Sequence, residues 1–84
     1  MNSQHRAIRA LLQSMSSKRA TDYIKSFGLT EEEERVLIEC DVKRRTYASQ
    51  YLEGYTERVI KDRKKSAYAK IADEIEHANG NGNG

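Results

Sequence analysis

Three cations near the last third of the sequence stand in line: Arg58, Lys61 and Lys65 fall at i, i+3 and i+7, which on a helix is one face. Such a row forms and breaks no covalent bonds; it neutralises phosphates along a nucleic-acid backbone. Thr56 and Glu57 precede the row and Asp62 flanks it, so polar groups able to meet base edges sit beside groups able to meet phosphates. Covalent chemistry has no comparable set. His5 and His77 are far apart in sequence, Cys40 is the single cysteine, and no His, Cys, Asp or Glu cluster has metal-ligand spacing. The run Glu31 to Glu34 points around most of a helix rather than converging on a metal or an acid/base pair. The Asn-Gly run from Asn79 to Gly84 lacks the Lys and the helix start of a phosphate-cradling loop. The expectation is a binding protein, not an enzyme, with no metal and no cofactor.

Charge supports this reading only when it is divided along the chain. The 84 residues are 37% hydrophobic and 33% charged with a net charge of +2, an ordinary globular balance that says little about partners. By segment, residues 1–29 carry +4, residues 30–42 carry −5, residues 43–65 carry +5 and the remainder −2. The basic third segment includes Lys43, Arg44 and Arg45, a connection that either adds phosphate contacts or is simply solvated. No apolar run approaches 18 residues and no basic-then-apolar leader opens the sequence. Neither a membrane span nor a secretory signal is therefore expected, and a cytoplasmic location is. A lone cysteine fits a reducing compartment and a core position.

The elements that must position these residues read as helices throughout. The chain has no proline, and Gly28 and Gly54 are the only glycines before residue 80, a pattern of short helices joined by tight turns. The first helix is expected over about Gln4 to Met15, with Ile8, Leu11, Leu12 and Met15 on its apolar face. The second is expected over about Lys18 to Phe27, capped by Ser17, buried through Ala20, Ile24 and Phe27, and ended by Gly28. The third begins at Glu31, where Thr30 and Glu33 form a capping box. Its Val36, Leu37 and Cys40 make one stripe and its Ile38 and Val42 another, which places it centrally.

A fourth, short helix is expected over about Tyr47 to Glu53, capped by Thr46, with Gly54 and Tyr55 as the turn. Thr56 then caps a fifth helix running to about His77, about 31 Å at 1.5 Å per residue. Ile60, Ala67, Tyr68, Ile71 and Ile75 lie within roughly 100° of one another on its wheel and form its core face. The fold class predicted is all-α with about five helices and a long last one. Residues 1–78 form a single domain, with N-terminal helices in 1–28 and a helix-turn-helix region in 29–77, followed by a flexible Asn/Gly tail at 79–84.

The last helix carries Arg58, Lys61, Arg63, Lys64 and Lys65 in its first half and Asp73, Glu74 and Glu76 near its end. Helix dipoles favour the opposite order, so local stability does not account for it, whereas an anionic partner at the N-terminal half does. A short capped helix, a glycine turn and a second capped helix with a basic front together describe a helix-turn-helix whose second helix enters the major groove. The competing reading is a solvated charged face.

The same residues resemble the helix-turn-helix of bacterial sigma-factor region 4 and the small region-4-like regulators carried by bacteriophages. The resemblance rests on Leu29-Thr30-Glu31-Glu32-Glu33-Glu34-Arg35-Val36-Leu37, Thr46-Tyr47, Gly54 through Lys61, and Lys64 through Ile71, and covers about Leu29 to Ile75. The family pattern Tyr-x-x-Ile-Ala-x-x-Leu-Gly is replaced by Tyr47 through Gly54, one residue shorter and without Ile-Ala, which alters the angle between the two helices. The resemblance implies promoter or operator binding inside a bacterial host cell and contact with RNA polymerase.

The leading expectation is thus a transcriptional regulator of a phage or other mobile element that binds duplex DNA. Its site would be Thr56, Glu57, Arg58, Lys61, Asp62 and Lys65, with Lys43, Arg44 and Arg45 at the mouth. The alternatives are a protein-binding inhibitor or adaptor of polymerase, a nuclease or another host protein, acting through the acidic start of the third helix or the basic first helix, and a packaging-type DNA recognition protein. Residues 1–28 either complete the core or pair with a second copy across a two-fold operator, and the reading leans to the homodimer.

Overall fold

The computed structural model describes the backbone of residues 3–45 and 52–82, and side chains as far as residue 77. Among these residues there are four α-helices and no strand: α1 (Ser3–Ser14), α2 (Ser17–Lys25), α3 (Glu31–Leu37) and α4 (Glu57–Gly82). None of them is long and apolar enough to cross a membrane. Of the helix expected over Tyr47 to Glu53, residues 47–51 lie outside the described residues, as does its cap Thr46. Leu52 to Gly54 form a turn closed by the Tyr55 amide donating to the Leu52 carbonyl at 3.0 Å.

Local chemistry sets the helix ends. The α2 cap is Ser16, not Ser17: its extended backbone brings Oγ to the Arg19 amide at 3.3 Å, and Ser17 becomes the first helical residue. The helix stops at Lys25, short of Phe27, and Gly28 turns the chain at φ +66°, the left-handed conformation that favours glycine. Thr30 and Glu33 make the reciprocal capping box of α3, with Thr30 Oγ1 accepting from the Glu33 amide at 3.2 Å and Glu33 Oε1 from the Thr30 amide at 2.9 Å. Thr56 opens α4, its Oγ1 accepting from the Val59 amide at 3.2 Å. The ladder of α4 continues to Gly82, past the expected end near His77, with no proline to stop it and against the helix cost of the glycines.

The apolar residues gather in two clusters with α3 between them. Ile8 and Leu12 of α1, Ile24 of α2, Leu29, Leu37 of α3, and Ala67, Tyr68, Ile71 and Ala72 of α4 form the larger; Val36, Leu52 and Ile60 form the smaller, with Cys40 and Tyr55 against it. The central place expected for α3 is observed, although Leu37 sides with Ile38 and Val42 rather than with Val36 and Cys40. Leu11 is 40% exposed, a correction to the face expected for α1: α4 and the continuation of α3 cover only the narrow stripe of Ile8 and Leu12. Ala72 is buried beyond the expected face of α4, and Ile75 is half-buried.

Beyond Leu37 the helix widens into a π-turn, Ile38–Val42, in which the Lys43 amide donates to the Ile38 carbonyl at 2.9 Å. Asp41 lies in this turn, and its side chain is wholly buried where α1, α3 and α4 meet. The Tyr68 hydroxyl donates to Oδ2, the Arg9 guanidinium stands 3.8 Å from Oδ1, and Oδ1 accepts no hydrogen bond from the described residues. Burial pushes the Asp41 carboxyl up from its usual range, against the pull of Tyr68, Lys64 and Arg9. Arg44 follows at φ +54°, strained for a residue with a side chain, and its guanidinium donates to the Gln13 carbonyl at the end of α1.

Tyr68→Phe removes the hydrogen-bond donor that the described residues supply to a buried carboxylate and should cost about 1–3 kcal/mol in urea denaturation followed by circular dichroism. Adding Asp41→Asn to that variant should recover part of the loss, since the stranded charge is gone. A Tyr68→Phe midpoint equal to that of the parent would refute this account of the junction.

Candidate nucleic-acid interface

The basic front of α4 divides into two parallel stripes with different environments. Arg63, Ser66 and Lys70, at i, i+3 and i+7, face the acidic first turn of α3. Arg63 Nε meets Glu32 Oε2 at 2.9 Å, Ser66 Oγ donates to Glu33 Oε2 at 2.6 Å, and Lys70 Nζ donates to Glu33 Oε1 at 2.8 Å. Arg58, Lys61 and Lys65, at the same spacing, lie roughly 140° further round the helix at 100° per residue. All three are exposed, and none forms an ion pair with a described residue. The first stripe holds α4 in place; the second is presented to solvent.

Glu33 is the pivot of this arrangement. It is only 3% exposed, yet both oxygens are satisfied from the Thr30 amide, Ser66 and Lys70. Burial pulls its carboxyl up, but the hydrogen bonds from Lys70, Ser66 and Thr30 outweigh burial and hold it down at about 2. The acidic start of α3 is therefore not merely a dipole-compensating surface: one of its acids is an internal clamp. Behind α4, Ile60 anchors the front of the helix in the smaller cluster, and Ala67, Tyr68 and Ile71 fix its middle in the larger.

The remaining residues expected at the interface are placed as follows. Thr56 is occupied as the cap of α4, while Glu57 and Asp62 are exposed beside the outward stripe. Lys43 and Arg45 both reach Glu39, at 3.1 and 3.3 Å, and Arg44 fastens to α1, so this basic connection is tied into the fold rather than joined to the stripe on α4. Thr30, Glu31, Glu32, Glu33, Arg63 and Ser66 line an open recess of about 390 Å³ whose three carboxylates disfavour phosphate. Among the described residues no three His, Cys, Asp or Glu side chains converge to hold a metal ion. Burial pushes the Cys40 thiol up, away from the reactive thiolate range.

Sequence reasoning missed the clamp made by Glu33, Ser66 and Lys70 and the burial of Asp41 against Tyr68. A signal for the clamp is present: Arg63, Ser66 and Lys70 repeat the i, i+3, i+7 spacing of the outward stripe, and a serine between two cations suits a carboxylate facing it. Comparison with protein families, with curated proteins and with solved structures finds no match to this chain, so its reading rests on these residues and their geometry.

A carboxylate bound more tightly as the anion contributes stability that is present in full above its ordinary pKa, 4.5 for Glu33, and is lost as pH falls towards about 2. Glu33→Gln should therefore destabilise the protein at pH 7 by up to about 3 kcal/mol and flatten the stability profile between these two pH values. Urea midpoints across the acid range check this, and a variant whose profile parallels that of the parent would contradict it.

Proposed function

We propose that the protein is a small DNA-binding regulator in which α4 is the recognition helix of a helix-turn-helix. The observation that carries the reading is the outward stripe: Arg58, Lys61 and Lys65 are exposed and without ion pairs among the described residues, whereas the neighbouring Arg63 and Lys70 are both paired to α3. Side chains needed to hold the helix and side chains able to meet a ligand are separate sets. In the proposed complex Arg58, nearest the helix start, takes a base edge such as the O6 and N7 of guanine, and Lys61 and Lys65 take phosphates.

The reading favours duplex DNA over a protein partner at the acidic start of α3. Two of the four acids there are engaged within the fold, Glu32 with Arg63 and Glu33 with Ser66 and Lys70, which leaves a smaller acidic surface than the sequence suggests. We further propose, from the resemblance of the sequence to sigma-factor region 4, that the regulator acts in the cytoplasm of a bacterial host, at a promoter or operator of a phage or other mobile element. RNA polymerase and a second copy of the chain are its further proposed partners.

Fluorescence anisotropy of a labelled mixed-sequence duplex, titrated at several salt concentrations, tests this. With three to five phosphate contacts the slope of log affinity against log salt should be roughly −3 to −4.5, and Arg58→Ala with Lys61→Ala should weaken binding and make the slope shallower. No binding to duplex, or binding indifferent to salt, would sink the proposal. Activity that survives the α4 variants but is abolished by charge reversal at Glu31, Glu32 and Glu34 would move the function to a protein partner.

A further inference from the structure

The buried carboxylates Glu33 and Asp41 are satisfied very unequally. Glu33 accepts from the Thr30 amide, Ser66 and Lys70, whereas Asp41, its side chain 0% exposed, accepts only from Tyr68 among the described residues. Its Oδ1 is buried without a donor, and the cation nearest to it, Arg9, stands 3.8 Å away with its own side chain 45% exposed. A cation so open to solvent is screened, and one hydrogen bond does not offset what an ionised carboxylate loses on leaving water. The groups around Asp41 come from every element packed on it. α1 brings Arg9 and, one turn earlier, His5, whose ring lies 5.6 Å from that of Tyr68. α4 brings Tyr68 and the charge of Lys64; the π-turn itself holds Cys40 and Glu39, the latter paired to Lys43 and Arg45. The buried residues of α2, Ala20 and Ile24, carry no charge.

Of the helices around this carboxylate, α1 is the least secured. Its buried residues are Ile8 and Leu12, and neither an acid in its first turn nor a base in its last offsets its dipole, whereas α2 has a serine cap and Lys25, and α3 and α4 are clamped together by Glu33. Lifting α1 away gives Asp41 to water and leaves that clamp intact. We infer that α1 is a proton-linked latch, closed over the neutral carboxyl of Asp41 and opening more readily, by local undocking, once that carboxyl is ionised. The inference is independent of the DNA-binding reading, and in the open form the stripe of α4 is still held by Glu33. Burial outweighs the pull of Tyr68, Lys64 and Arg9 and holds the Asp41 carboxyl above its ordinary range. The closed form therefore binds the proton more tightly than the open one, so closure is strongest below the ordinary value of 3.8 and weakens as pH rises through the raised value. Glu33 has the opposite dependence: acid tightens α1 while it loosens the pair of α3 and α4.

Amide hydrogen exchange of the full chain, followed by NMR between about pH 4 and 5.5, below the ordinary histidine range, tests this. Protection of the Ile8 and Leu12 amides, corrected for the intrinsic pH dependence of exchange, should fall as pH rises, by at most about tenfold per pH unit, and the Ile71 amide should exchange more slowly than either. Asp41→Asn should make the profile flat. Arg9→Gln, at an exposed position, should make the fall larger, because the ionised carboxylate loses its nearest cation. The Arg9 variant keeps the test decisive if the asparagine amide unsettles the junction. A parent profile that is flat or rises, a fall that persists in Asp41→Asn, a shallower fall in Arg9→Gln, or Ile8 and Leu12 amides as protected as that of Ile71 would each overturn the latch.

Discussion

The arrangement depends on one buried carboxylate. Glu33 closes the start of α3 through the Thr30 amide and, with the same two oxygens, clamps α4 through Ser66 and Lys70. An ionised carboxylate out of water costs several kcal/mol unless its oxygens are satisfied, so each of these donors makes the others more valuable. The geometry of a local helix cap is in this way converted into a tertiary constraint. It fixes which side of α4 turns towards α3 and therefore which side turns to solvent.

That constraint divides the cations of α4. Arg63 and Lys70 offset the acids of α3, while Arg58, Lys61 and Lys65 have no such duty. The division resolves the order of charge along the helix, which runs against the dipole. Part of the basic front is explained from within, by the acidic turn of α3, and part, Arg58, Lys61 and Lys65, is exposed and without an ion pair among the described residues. The junction around Asp41 is the complementary feature at the other end of α3. There a π-turn, a buried carboxylate with one oxygen that accepts no hydrogen bond from the described residues, and a strained Arg44 join α1 to the pair of helices that carry the stripe.

The sequence made the local devices legible because their geometry is set within four residues. The Thr30 and Glu33 capping box, the left-handed turns at Gly28 and Gly54, and the Thr56 cap are all visible in residue types alone. The all-α class and the presence of a long last helix followed from apolar periodicity, although α4 runs on to Gly82. Features set by tertiary neighbours were not legible. Nothing local distinguishes the exposed Leu11 from the buried Leu12 within a shared apolar face, and only the packing of α4 and α3 on one side of α1 does so. Asp41 reads as one more acid until Tyr68, 27 residues later, is brought onto it. Lys43, Arg44 and Arg45 read as a surface patch, since their partners Glu39 and Gln13 are assigned only by the π-turn and the left-handed backbone that follows it. The site was legible as a row of cations; which cations are available to a ligand required the structure.

The central claim is that the outward stripe of α4 meets duplex DNA. Its most direct test is to map amide chemical-shift changes in isotopically labelled protein as an unlabelled duplex of mixed sequence is added at low salt. The account predicts that changes concentrate on the backbone from Thr56 to Lys65 while the amides of Glu31 to Glu34 stay near their free positions. Changes centred on Glu31 to Glu34 that leave the front of α4 untouched would contradict it.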